Sequence, residues 1–354
     1  MSLSSPVRLA VLAAAVACLS PRAAFAEQGA APPPGMTRLA LINGWKAYEQ
    51  GAAPALTAYK GVVYLRGSIK ETRGSNSEPF VIPAAFRPAA PVAIKLDMCD
   101  ATDGRLIIDP DGSTALQSED NFSEAQCFTS LDGASYSLTA DGYKKLKLLQ
   151  GWQTYGEGSA APAAHAVGNI VHLEGAMAGG SGTAPFVLPS PLRPAAAVWL
   201  PLDMSDATNG RIGIFTDGTV FLQAQSNFSE AQSFTSLDGV SFALDSTGFT
   251  PLTLANGWAA DTVDGTATPS VRLDHGIVTF HGAITLPSGS NNVAFTLPST
   301  MWPSHDTYIP VDTNQCTNGR LIIYTNGAVA VQGEEGNNTN AFAFTSLDGV
   351  SFHL

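Results

Sequence analysis

Charge is scarce in this chain. Only 14% of its 354 residues are charged, and the 30 acids outnumber the 18 lysines and arginines, for a formal net charge of −12. A surface of that sign repels phosphate backbones, so no nucleic acid partner is expected. Long apolar runs are also lacking. The longest, Leu9 to Leu19, is about a dozen residues where a bilayer span takes roughly 20, so no membrane span is expected. Recurrent histidines are absent: His165, His172, His275, His281, His305 and His353 fall at unrelated places. No Gly-x-Ser-x-Gly, His-Glu-x-x-His or phosphate-loop pattern occurs, so no catalytic residue, metal or cofactor is expected. No convincing amphipathic helix is visible either.

The start of the chain resembles an export signal. Arg8 precedes the apolar run, and Ala24-Phe25-Ala26 is a small-x-small cleavage pattern that leaves Glu27 as the mature N-terminus. Removing residues 1–26 takes away Arg8 and Arg22 and makes the chain still more acidic. A secreted, periplasmic or cell-surface protein is expected. Ala15-Val16-Ala17-Cys18 also matches a lipoprotein cleavage box loosely, which leaves a lipid anchor at Cys18 as a second reading.

Glycine (34 residues) and proline (23) are plentiful, as short strands and tight turns require. One phrase is written three times: Phe128-Thr-Ser-Leu-Asp-Gly-Ala-Ser-Tyr136, Phe234-Thr-Ser-Leu-Asp-Gly-Val-Ser-Phe242 and Phe344-Thr-Ser-Leu-Asp-Gly-Val-Ser-Phe352. Each copy opens with Gly-Trp, at Trp45, Trp152 and Trp258. A period of about 100 residues is domain-sized and too long for a solenoid unit. After a leader over 27–37, three repeats are expected at 38–138, 146–244 and 251–354.

Within each copy the strand signals recur. Val63, Leu65 and Ile69 alternate with polar neighbours, as do Val171, Leu173 and Met177, then Val278, Phe280 and Ile284. The opposite set changes between copies (Tyr64 and Arg66, His172 and Glu174, Thr279 and His281) and is expected at the surface. Asp111-Gly112, Asp217-Gly218 and Asn326-Gly327 each turn a hairpin, because these pairs supply the positive φ angles that a two-residue turn needs. A long polar loop follows, with Asn121, Asn227 and Asn337 at one shared turn. The expected fold is all-β, as three tandem β-sandwich, jelly-roll-like domains.

Cys99 and Cys127 both occur in the first copy, and both are missing from the other two. Joint loss is what a bonded pair would show, and export permits the bond. Cys316 has no counterpart. A buried free thiol and an intermolecular bridge are both open to it.

Gly-Trp, Gly-Val-Val-x-Leu-Arg-Gly, Pro-x-x-x-Arg-Pro, the Asp-Gly hairpin and Ser-Leu-Asp-Gly-x-Ser-Phe together resemble the β-rich end domains of bacteriophage tail-fibre and baseplate proteins. The resemblance covers nearly all of residues 38–354. It departs in having an export signal and in Trp302-Pro303, where the first two copies have Arg-Pro. The resemblance implies recognition of cell-surface glycans. It also implies a trimeric arrangement, met either by one chain with three pseudo-equivalent domains or by a homo-oligomer.

Candidate ligand-binding residues lie in one recurrent loop: Asp97, Asp100 and Arg105, then Asp203, Asp206 and Arg211, then Asp312 and Arg320. The oxygen-rich spacing matches no EF-hand, and a turn in which the leading Asp pairs with the following Arg is the competing reading. Trp199 and Trp302 occur in single copies and join the candidates, whereas the three shared tryptophans suit the core. The expected function is a secreted, non-catalytic protein that binds a cell-surface glycan through tandem copies. A structural module of an exported fibre or surface layer is the alternative, and a glycan-active enzyme is the third reading.

Overall fold

The computed structural model describes residues 35–72 and 74–354; the stretch read as an export signal and Cys18 lie outside the described residues. The chain is all-β, and every named strand pair in it is antiparallel. In the first copy a four-stranded sheet runs Thr37–Arg38, Ala55–Tyr59, Val62–Arg66, Ser135–Ser137 in spatial order. A second layer joins Trp45–Ala47, Ser68–Glu71 and Thr129–Ser130 to the meander Val92–Asp97, Asp103–Ile108, Thr114–Ser118 through a bridge between Met98 and Thr129. The third copy merges the matching strands, with Val293–Thr296 added, into one seven-stranded sheet. The layers are sandwich-like. Apolar residues of alternating positions meet between them in three separate cores, each drawn from one copy.

The recurrent Gly67, Gly175 and Gly282 let one strand leave the first sheet and enter the second. Gly67 has φ +98°, and a Cβ there would sit 2.5 Å from the Ala52 carbonyl oxygen. That is why the sequence keeps glycine between Leu65 and Ile69, both of which are buried but on strands of different sheets.

The long polar loop is corrected by the structure. It contains a six-residue helix in every copy, Phe122–Cys127, Phe228–Ser233 and Asn338–Ala343. Fewer than two turns bury only Ala125, Ala231 or Ala341, too little to show a helical period in sequence. Asn121, Asn227 and Asn337 are the N-caps; each accepts a hydrogen bond from the backbone N–H two residues on.

Cys99 and Cys127 are disulfide-bonded, which ties the turn Cys99–Ala101 to the end of the first short helix. Closing a 28-residue loop stabilises the fold by about 3–4 kcal/mol in the chain-entropy model. Cys316 is a buried free thiol that donates to the Gln223 carbonyl oxygen at 3.3 Å.

A second correction concerns the residues expected at the surface. Arg66, His172, Glu174 and His281 are all buried. Alternation shows that a strand has two faces; it does not show what covers each. Here a neighbouring copy covers the second face. Arg66, for example, donates to the Leu354 carbonyl oxygen at 2.9 Å and to Ser304 Oγ at 2.6 Å.

The thrice-written phrase makes these contacts between copies. Ser130 Oγ donates to the Tyr308 carbonyl oxygen, Ser236 Oγ to that of Ala93 and Ser346 Oγ to that of Trp199, each at 2.6 Å. The glycine of the phrase seats a branched side chain of the same neighbour. A Cβ on Gly133 would lie 2.7 Å from Ile309, on Gly239 3.0 Å from Ile94 and on Gly349 2.6 Å from Leu200. The aspartate holds its own copy together: Asp132, Asp238 and Asp348 accept from the N–H of Gly67, Gly175 and Gly282. Copy two clasps copy one, copy three clasps copy two, and copy one clasps copy three. The contacts therefore close a ring.

The ring has a pH signature. Burial pushes the carboxyls of Asp97, Asp132, Asp203 and Asp238 up to about 6 and those of Asp312, Glu119 and Glu174 up to about 7. A raised folded-state value gives stability that is full below the unfolded value and lost as pH rises through 6–7. His172 opposes this, because burial lowers it to about 4, so it destabilises as pH falls below 6.5. Seven carboxyls outweigh one imidazole. Thermal melts are expected to show higher stability at pH 5 than at pH 8, and the reverse order would reject the account.

Candidate functional site

The three interfaces are built from equivalent parts. The strand Val92–Asp97 and the arginine of the neighbouring strand form one wall; the leading aspartate and the recurrent phenylalanine of the next copy form the other. Arg105 Nη1 lies 3.4 Å from Asp203 Oδ2, Arg211 Nη1 3.5 Å from Asp312 Oδ2 and Arg320 Nη1 3.2 Å from Asp97 Oδ2. The aspartate-arginine pairing read from the loop is thus present, but always between copies. The other donors of each guanidinium go to a glutamine of the same copy, Gln117, Gln223 or Gln332. The three aspartates are buried and engaged, so Asp97, Asp203 and Asp312 face the neighbouring copy rather than open solvent.

Asp100 and Asp206 are exposed and line clefts at two of these interfaces. Between copies one and two, a cleft of about 290 Å³ has Ala93, Arg105 and Asp109 on one side. Tyr155, Glu157, Asp206 and Phe234 lie on the other. Between copies three and one, a cleft of about 260 Å³ brings Arg320 and Tyr308 against Tyr48, Asp100 and Phe128, beside the disulfide. Each has an edge-to-face aromatic pair, Tyr155–Phe234 at 4.7 Å and Tyr48–Phe128 at 4.9 Å between ring centroids. Asp109, Glu157 and Asp206 take part in no ion pair among the described residues. Sequence reading found Asp100, Arg105, Asp206 and Arg320 but missed Tyr48, Tyr155 and Phe234. Their partners sit in another copy or far along the chain; the Gly-Trp spacing marks the tyrosines, and the repeated Phe-Thr-Ser-Leu-Asp-Gly phrase marks Phe234.

Known proteins do not decide the reading. No family model, curated protein or solved structure matches this chain.

The remaining candidates have separate places. Trp302 is 42% exposed, and its Nε1 donates to the Leu297 carbonyl oxygen at 2.7 Å. Arg87 and Arg193 make the same bond through Nε to Ile82 and Leu188. Trp302 therefore replaces their donor over the hairpin glycine, away from the clefts. Trp199 is half-buried at the interface of copies two and three. The shared Trp45, Trp152 and Trp258 are core residues; each donates Nε1–H to a carbonyl of its own copy. The cavity where Ile94, Leu200 and Ile309 converge at the middle of the ring is about 50 Å³, water-sized rather than ligand-sized. Lys95 reaches this region and pairs with buried Asp103, where copies two and three carry Pro201 and Pro310. Among the described residues no group of three or more His, Cys, Asp or Glu side chains is arranged to hold a metal, and no helix is long and apolar enough to cross a membrane.

Proposed function

We propose that this is an exported, non-catalytic binding protein that recognises a cell-surface glycan in the clefts between its copies. The observation that carries the reading is the cleft between copies one and two. It sets the aromatic pair Tyr155–Phe234 beside three carboxylates, Asp109, Glu157 and Asp206, that take part in no ion pair among the described residues. Aromatic faces suit the C–H faces of sugars, and ionised carboxylates accept hydrogen bonds from sugar hydroxyls. The second cleft repeats the aromatic pair with Tyr48 and Phe128, so two weak contacts on one rigid ring would add avidity on a multivalent surface. The resemblance to tail-fibre end domains supports the same ligand class.

Residues 27–354 are expected to bind on a glycan array and to whole cells. Tyr155→Ala and Asp206→Asn are expected to weaken binding to the selected glycan at least about tenfold, the effect of losing one or two good contacts. Both side chains lie at the cleft rather than in a core, so thermal stability should change little. Array binding that survives both substitutions would place the glycan elsewhere. Absence of glycan and cell binding would reject the reading.

A further inference from the structure

The three arginines differ in what covers their flat faces. Arg320 lies over two rings that touch each other, 5.9 Å from the Phe128 centroid and 5.2 Å from that of Tyr308, the two centroids being 4.9 Å apart. Arg211 is covered by Trp199 of its own copy, 4.6 Å away. Arg105 has Phe234 of the next copy at 5.4 Å. The position that supplies Tyr308 and Trp199 is Ala93 in the first copy; all three pair across the meander with equivalent strand residues, Ile322, Gly213 and Ile107. Alanine has no ring to offer, and the cleft of about 290 Å³ opens there.

We infer that the Ala93 position holds a slot for one planar π ring carried by a ligand, stacked on the guanidinium of Arg105 where Trp199 and Tyr308 stack in the other two copies. The protein itself supplies the occupant at two interfaces and so shows what the third accepts. The edge donors of Arg105 are already taken by Gln117, Asp203 and the Met204 carbonyl, at 2.6–3.4 Å. What remains is the part of its face that Phe234 leaves uncovered, on the Ala93 side, which attracts the negative face of an aromatic ring. In copy two the Trp199 ring also packs edge-on to Phe215 and Phe221, at 5.8 and 6.4 Å. The first copy has Asp109 in place of Phe215 and Ala115 in place of Phe221, which leaves room beside Ala93. Position 93 therefore sets specificity: a small side chain leaves the guanidinium to a ligand ring, and an aromatic one covers it, as Tyr308 does beside the cleft of about 260 Å³. This goes beyond glycan recognition, since the slot reads a flat ring whatever molecule carries it.

Indole is the probe, because it is the ring that Trp199 carries. NMR titration of the mature protein with millimolar indole should give one saturable site per chain, with shifts at Arg105 Nε–H and Tyr155. Ala93→Trp should abolish that site. Ala93→Tyr reproduces the residue of copy three and should weaken it at least tenfold, with its thermal melt as the check on folding. Trp199→Ala should raise the stoichiometry from one to two. Unchanged indole binding in a folded Ala93→Tyr protein overturns the inference, and so does the absence of saturable binding to the parent protein. Glycan binding is scored separately on the array, so the slot and the glycan reading can fail independently.

Discussion

Arg320→Ala is expected to destabilise the protein by about 3–5 kcal/mol at pH 7.5, the range for removing one partner of a buried ion pair. Arg320 is one of the links between the last copy and the first. Its Nη1 reaches Asp97 Oδ2 at 3.2 Å and the Met98 carbonyl oxygen at 3.3 Å, and the Asp97 side chain has no solvent exposure. Truncation leaves that carboxylate buried without its cation. Asp97→Asn combined with Arg320→Ala should recover part of the loss, because the stranded charge is gone. The loss in Arg320→Ala should also shrink at pH 5. The Asp97 carboxyl is already raised to about 6 by burial against the opposing pull of Arg320, and without Arg320 it rises further and takes up a proton. Chemical denaturation of both variants at the two pH values measures all three effects. Full additivity in the double variant would show that the pair does not couple the copies.

Arg320 also shows where sequence legibility ends. The alternation of Val63 and Leu65 and the Asp-Gly hairpins are local signals. They specified strands and turns without any knowledge of neighbours, whereas the crossing at Gly67 was not legible, because Val63 to Ile69 alternates as a single strand would. The joint loss of Cys99 and Cys127 was equally readable, because a missing pair in two copies is information held in the sequence itself. The interfaces are different. Every copy carries the same aspartate, arginine, serine and glycine, so a bond within a copy and one to the next copy look identical in sequence. Asp97 with Arg105 is the natural local reading, yet Asp97 takes Arg320 and Arg105 takes Asp203. The polar strand faces misled for the same reason: Arg66 is buried against a second copy, not exposed to solvent. The clefts were only half readable because each draws one wall from either side of an interface.

Residues 146–246, expressed alone, are expected to assemble into a closed homotrimer rather than remain a folded monomer. This copy carries both halves of the clasp. Ser236 holds the carbonyl at Ala93, and Trp199 offers the equivalent carbonyl to Ser346. Gly239 seats Ile94, while Leu200 is seated by Gly349. Arg211 reaches Asp312 at the same time as Asp203 receives Arg105. A surface whose two sides fit each other through a rotation that closes generates a ring. In the full chain that rotation already closes after three copies. An isolated copy would leave buried Asp203 and Asp238 facing water along with Leu200, so its stability should depend on its own concentration. Light scattering at high micromolar concentration should give three times the fragment mass, and dilution should lower the melting temperature. Sedimentation of a folded, concentration-independent monomer would show that each sandwich stands without the clasp. In the intact protein the copies are joined covalently, which replaces that concentration dependence by a high effective concentration. That tethering lets single copies diverge without losing the ring. Lys95, Ala93 and Trp199 each occur once where an assembly of identical subunits would present the same residue three times.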